Sequence, residues 1–341
     1  MDTATQVILG VAASEAAGCR RKLGPAATWL AAASALLPDL DFVAALGGDP
    51  WAARFAHRGL SHSLLFCALA PVALAFFAAR LGAPGRFRAL YLCSFVAILT
   101  HPLLDLSTSY GTRIFEPFSD ARLAWHWIGI VDLVYTGLLA CAIAFAAALR
   151  RRSRTGAAQA VALAGLLASS AYIGLGAVNR ERALDIGRAE AERLGLRGAR
   201  VEAYPLIGTV MSWRLLVETE DAFRVARLSF FTGSPPRFEV APKATGPAVE
   251  AALSHPLVRR YVAFTLGTVR PVLTEHKGSV AVELDDMRYG FPADSPRSIW
   301  TVRAVLDHRG EVSRVDWVRR VRLGNDLLGA LATLLRDMVG D

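Results

Sequence analysis

The sequence predicts a mainly α protein: a polytopic membrane helix bundle of about five spans over residues 1–179, then a small α+β extramembrane domain over residues 180–341. Three observations carry this reading. Hydrophobic residues make up 53% of the 341 positions and the mean hydropathy is +0.35, high for a soluble protein, with the apolar residues concentrated before residue 180. Long charge-poor runs in that half are separated by short Arg-rich clusters, the pattern of cytoplasmic loops in membrane proteins. Beyond residue 180 the long runs give way to period-two alternation, as in RVARLSFF, which marks strands. The net charge of +8 therefore belongs to loops, and no nucleic-acid partner is expected. Cys19, Cys67, Cys93 and Cys141 all fall in the first half without CxxC spacing, as small apolar residues and not a disulfide framework or zinc knuckle.

Residues 1–22 do not read as a signal peptide. Asp2 and Glu15 interrupt the stretch, and Arg20, Arg21 and Lys22 follow its apolar part instead of preceding it. A short helix over 4–18, lying on or against the bundle, is expected. Spans are expected at 25–46, 63–79, 89–106, 128–149 and 157–178; a span needs about 20 apolar residues, so the second and third are somewhat short. Five spans place Arg20–Lys22, Arg80–Arg88 and Arg150–Arg154 on one side, which the positive-inside rule makes cytoplasmic. The other side receives the loop 107–127 and everything after residue 179. In the second half, an amphipathic helix is expected over 181–195, ending at Gly195. Strands are expected within 200–217, 223–231, 279–288, 299–306 and 311–321, a loop at 234–247 and partial helix over 248–266.

The chemistry-bearing stretch is LLPDLDFVAALGGDPWAARFAHRGLSH, residues 36–62. Asp39 and Asp41 flank Leu40 directly after Pro38, where a helix ends or turns. His57 and His62 are five apart across Gly59, and Ser61 is expected to cap a helix beginning at His62. His101 and Asp105 are four apart and share one helix face. Their helix otherwise belongs in lipid, where ionisable residues are costly and usually functional. Carboxylate oxygens with imidazole nitrogens suit a divalent ion such as Zn, Mn or Fe. Three Asp and three His on one face of the bundle thus point to a metal site. Asp132, just inside the fourth span, is a further ligand, a carboxylate orienting a ligand, or a polar stitch between helices. His126 lies between Trp125 and Trp127 at the interface level. Arg58 and Arg113 are candidates for binding an anionic substrate. No GxSxG elbow, P-loop or GxGxxG has suitable flanks, which leaves serine-hydrolase and nucleotide-binding readings without support.

LLPDLD, HRGLSHSLLF, LTHPLLDLSTSYGT and EPFSD followed by IVDLVY resemble the YdjM-type family of bacterial inner-membrane proteins, described as membrane-bound metal-dependent hydrolases. The resemblance covers roughly residues 1–180, and LLVETED and DDMRYGF are similar to the C-terminal region of longer members. It implies a bacterial inner-membrane location and a metal set at Asp39, Asp41, His57, His62, His101, Asp105 and Asp132. Gln6 stands where many members have a His, and His126 where members often have an acid.

The expected chemistry is metal-assisted hydrolysis, with Asp39 or Asp105 accepting a proton and Arg58 on the substrate. At the lipid headgroup level, a phosphoester of a lipid or envelope precursor is the expected substrate class, with membrane lipids as partners. The rival is a non-enzymatic membrane scaffold or binding protein with a structural metal or polar core. A transporter is disfavoured by the absence of repeat symmetry and by ligands at one face.

Overall fold

Small residues set the packing of the first helices. In the computed structural model, which describes residues 1–41, 50–81, 85–276, 278–320 and 327–339, contacts divide the chain into units Met1–Leu175 and Gly176–Asp341. The first unit contains α1 (Thr3–Ala16), α2 (Cys19–Leu23) and α3 (Ala26–Leu36), the last running into a 3-10 turn at Leu37–Leu40. After α4 (Pro50–Ala56) and a 3-10 turn at Leu60–His62 come α5 (Leu64–Leu81), α6 (Phe87–Leu106), α7 (Leu133–Arg151) and α8 (Thr155–Arg193). Helix α1 packs against α3 and α6 through buried Ala12, Ala27, Ala31, Ala35 and Ala97. Gly10 permits this approach, because a Cβ there would lie 2.6 Å from the Ala35 Cβ. The expected helix at 4–18 is therefore an interior element of the bundle.

Side-chain caps fix several helix starts. Asp2 accepts from Thr5 N at 2.9 Å and Asp132 from Tyr135 N at 2.9 Å, each satisfying an orphan amide of a first turn. The cap expected at Ser61 is instead made by Ser63, whose Oγ accepts from Phe66 N at 3.1 Å. The helix begins two residues later than expected, and Ser61 is released for another role.

Among the described residues, α6, α7 and α8 are long and apolar enough to cross a membrane, and Arg54–His62 with Leu64–Arg80, bent by 65°, would make a fourth. Three or four of the five expected spans are thus supported among the described residues. Of the span expected at 25–46, the described part is the apolar helix Ala26–Leu40, which tightens to a 3-10 turn at Leu37–Leu40 and by itself is below spanning length; residues 42–46 lie outside the described residues.

The two ends of this bundle differ in polarity. At one end, Arg86 Nη1 donates to Lys22 O at 3.5 Å, Arg150 pairs with Glu15 at 3.0 Å and Gln159 Nε2 donates to Ala16 O at 2.8 Å. At the other, Asp2 N donates to Ile130 O at 3.0 Å and the Thr5 and Thr136 hydroxyls meet at 2.6 Å. Helix α6 connects them over about 30 Å at 1.5 Å per residue.

The second unit holds two antiparallel meanders. The strands β1 (Arg200–Pro205), β2 (Ser212–Glu218), β3 (Ala222–Ser229) and β4 (Glu239–Pro242) form the first. The helices α9 (Pro247–Ser254) and α10 (Pro256–Phe264) lead to β5 (Val269–His276), β6 (Ser279–Asp286), β7 (Trp300–Leu306) and β8 (Val312–Arg319), followed by α11 (Leu327–Val339). Strand β4 falls inside the expected loop 234–247, and β5 was not anticipated because Pro271 interrupts it. Both lie at sheet edges, where a proline costs no ladder bond. Ala183 and Leu184 of α8 pack on Ala203, Trp213, Leu215 and Leu228. Arg214 is buried in this unit, its Nε donating to Met287 O at 2.8 Å. Burial pushes its guanidinium down to about 10, against the opposing pull of Asp286 and Asp294.

Candidate metal centre

Three elements deliver four side chains to one point. Helix α6 supplies His101 and Asp105 one turn apart, the 3-10 turn after α3 supplies Asp39, and the turn before α5 supplies His62. Asp39 Oδ1 lies 3.6 Å from His62 Nε2 and 3.3 Å from His101 Nε2. Asp105 Oδ2 lies 3.4 Å from His62 Nε2 and 3.7 Å from His101 Nε2. Donors about 2.1 Å from a tetrahedral ion are separated by about 3.4 Å, so these four edges match the edges of such a coordination shell.

Hydrogen bonding separates this arrangement from an ordinary polar core. The buried atoms His62 Nε2, His101 Nε2 and Asp105 Oδ2 have no hydrogen-bond partner. A buried polar atom left unsatisfied costs about 1–3 kcal/mol, and three converging ones call for a further group between them.

The tautomers agree. His101 Nδ1 is 2.7 Å from Ala35 O; a carbonyl only accepts, so Nδ1 carries the hydrogen and Nε2 presents its lone pair to the cluster. Ser61 Oγ gives its hydrogen to Asp41 Oδ2 at 2.7 Å. His62 Nδ1, 2.9 Å from the same hydroxyl, therefore donates, and its Nε2 lone pair also faces inward.

The surrounding residues hold the carboxylates. Asp105 Oδ1 accepts from Gln6 Nε2 at 3.0 Å, pairs with Arg58 Nη2 at 3.0 Å and receives the Met1 amino group, which leaves Oδ2 for the cluster. Arg58 also donates to Thr108 Oγ1 at 2.9 Å and lies over the Tyr110 ring at 4.7 Å. Asp39 Oδ2 accepts from Thr3 Oγ1 at 3.3 Å. Gly59 allows the chain to pass close to Arg113 and Ala56 O, where a Cβ would sit 2.5 and 2.7 Å away.

Asp41, His57 and His62 form a second group of acid and imidazole donors. Here the contacts are ordinary hydrogen bonds: Asp41 Oδ1 to His57 Nδ1 at 2.9 Å, and Asp41 Oδ2 to Ser61 and to Arg58 N at 3.3 Å. Six of the seven ligands expected from sequence thus lie in the two overlapping groups or touch them directly.

Asp132 belongs to neither group; besides capping α7 it accepts from Tyr172 OH at 3.2 Å. His126, buried with a φ of 58°, is in neither group either. Arg113 donates to Phe55 O at 3.1 Å and pairs with Glu116 at 3.5 Å. Sequence reading overlooked Thr3, Thr108 and the Ala35 carbonyl and gave Ser61 a capping task, all uncharged groups whose part depends on tertiary contact. Two imidazole nitrogens and two carboxylate oxygens are a donor set that fits Zn, Mn or Fe.

Comparison with known proteins adds relatives. Over 95 residues the chain is 35% identical to the inner membrane protein YbcI of Escherichia coli (strain K12), covering 27% of this chain and 54% of that protein. Over 142 residues it is 28% identical to the protein YfhP of Bacillus subtilis (strain 168), covering 39% of this chain and 41% of that one. The chain thus spans about half or less of the length of these relatives. No solved structure matches it. The family model of the YdjM inner membrane protein matches residues 1–183, more than half of the chain. The chain belongs to the YdjM family of inner membrane proteins.

Proposed function

We propose that Asp39, His62, His101 and Asp105 hold a divalent ion, Zn, Mn or Fe, and that the chain is a membrane-bound metal-dependent hydrolase acting on a phosphoester or lipid-linked substrate. The single observation that carries the ion is the convergence of three buried, unpartnered donor atoms at the distances of a coordination shell. Such an ion supplies Lewis acidity and lowers the pKa of bound water. The protein's own groups then have distinct tasks. Asp105, held through Oδ1, anchors the centre, and Arg58 positions Asp105 instead of meeting substrate. Asp39, whose side chain is 22% exposed against 1% for Asp105, is the carboxylate placed to exchange a proton with solvent. His57, oriented by Asp41 through Nδ1, supports proton movement at its Nε2 and takes no part in holding the ion.

The basic end of the bundle faces the cytoplasm by the positive-inside rule, which puts the metal centre at the extracytoplasmic headgroup level and suits a lipid-borne phosphoester. Helix α8 begins at the basic end, so residues beyond 179 emerge on the extracytoplasmic side. A second reading, a scaffold with a structural metal, is favoured by the count of four protein donors, since structural sites are closed and catalytic sites keep an open position.

The test is metal content by plasma mass spectrometry on detergent-purified protein, beside His62→Ala/His101→Ala. About one ion per chain, lost in the variant, is expected. A wild type that stays metal-free after reloading removes both readings. Metal-dependent cleavage of phosphoester substrates, strongly reduced by His57→Ala with metal retained, then separates the hydrolase from the scaffold.

A further inference from the structure

One face of the β5–β8 sheet carries charges, as the second face of an antiparallel sheet commonly does, but here Arg270, Glu283 and Asp285 are buried. Register places Arg270 opposite Asp285, and Glu283 opposite Arg303. Arg270 pairs with Asp285 at 2.9 Å, Arg320 pairs with Asp285 at 2.7 Å and also meets Glu283. The opposite face is conventional, with Trp317 against Tyr261 and Phe264. Above the charged face lies a cavity of about 420 Å³, walled by Arg270, Glu283, Arg297 and Arg320 with Val272 and Pro296.

The charges do not balance. Arg270, Arg297, Arg303 and Arg320 supply four positive charges, and Glu283 and Asp285 two negative ones, a surplus of two. Arg297, on the cavity wall, has no acidic partner among the described residues. Arg270 is buried, yet its Nε has no acceptor. A buried guanidinium donor left unsatisfied is expensive, and guanidinium groups match the oxygens of phosphate in paired hydrogen bonds.

We propose that this cavity is a phosphate-binding site, taking one phosphate group, free or on a lipid headgroup, between Arg270, Arg297 and Arg320. The surplus of two charges matches a phosphate dianion, and Glu283 and Asp285 hold the guanidinium groups in place before it arrives. This site is separate in sequence and chemistry from the proposed metal centre.

The test is equilibrium dialysis of the full chain in detergent with radiolabelled inorganic phosphate at constant ionic strength. Saturable binding of one phosphate per chain is expected, weakened at least about tenfold in Arg297→Gln, as loss of a charge-assisted contact requires. Arg297 is exposed, so the variant keeps its fold, and an unchanged unfolding midpoint without phosphate checks this. A short-chain phosphatidic acid that displaces the label identifies the headgroup as a source; failure to displace it identifies free phosphate. Absence of saturable binding by wild type, or undiminished binding in Arg297→Gln, overturns the proposal. So does loss of binding in His101→Ala, because it moves the phosphate to the helix bundle.

Discussion

Helix α6 is packed by two different rules along its length. Its first half sets Leu90, Cys93 and Ala97 against Ala27, Ala31 and Ala35, an apolar contact that carries only isolated buried hydroxyls, Ser34 and Ser94. Its second half sets His101 and Asp105 against His62 and Asp39, and leaves three buried atoms without partners. The neighbouring helices α1 and α3 are the same in both halves. In the second half the unpartnered atoms are imidazole and carboxylate donors that converge across the cluster, both imidazole nitrogens within 3.7 Å of the carboxylate oxygen, and that convergence is what calls for an added ion.

The largest expected break in this comparison is Asp105→Ala. It removes one donor of the cluster and leaves the buried Arg58 guanidinium without its carboxylate, at a cost of about 3–5 kcal/mol. A double variant, Arg58→Met/Asp105→Leu, removes the charge and its partner together. Its thermal midpoint in detergent should recover most of the loss while its metal content stays at zero. Recovery of both would show that Asp105 is a packing residue, and that the second half of α6 follows the rule of the first.

Gly10→Val attacks the apolar half. A branched side chain placed where even a Cβ would be 2.6 Å from Ala35 forces α1 and α3 apart, with an expected loss of about 1–3 kcal/mol or more. Ala35 O also fixes the His101 ring, so metal affinity should fall along with the midpoint. A variant that loses stability yet binds metal as wild type does would separate the two halves completely.

What the sequence disclosed follows from this division. Ionisable residues in an apolar helix are visible as anomalies, so His101, Asp105, Asp39 and His62 could be picked out without coordinates. The half-apolar, half-alternating composition likewise revealed the helical and β-containing regions. Of the five expected spans the described residues support three or four, since the apolar helix Ala26–Leu40 is by itself short of a crossing. Ser61 was assigned to the wrong task, since a Ser two residues from another Ser caps whichever turn the tertiary structure starts. Strand β5 stayed hidden because Pro271 is acceptable only at an edge, and an edge is defined by topology rather than by local sequence.

Asp41→Asn tests the satisfied group. Asp41 reaches the proposed ion only through Ser61 and His62 Nδ1, the arrangement in which loss of an outer hydrogen bond lowers metal affinity by about 10–100-fold. Competition with a metal-chelating dye measures it. A complete loss of metal would instead place an oxygen of Asp41 on the ion and merge the two groups.

The smallest expected effect is at Asp132, and it sharpens the comparison most. Asp132 is as buried as Asp105, lies at the same end of the bundle, and belongs to the metal set that the family resemblance implies. Its oxygens are committed to Tyr135 N and Tyr172 OH, whereas Asp105 keeps Oδ2 without a partner. Asp132→Ala removes an N-cap and a helix contact, a loss of about 1 kcal/mol, read as a small drop in the thermal midpoint. Metal content should not change. Stoichiometric metal in Asp132→Ala, beside none in Asp105→Ala, would establish that partner-free atoms and not burial or charge distinguish a ligand from a structural acid in this bundle. Loss of metal in both would mean that the ion draws on α7 as well as α6.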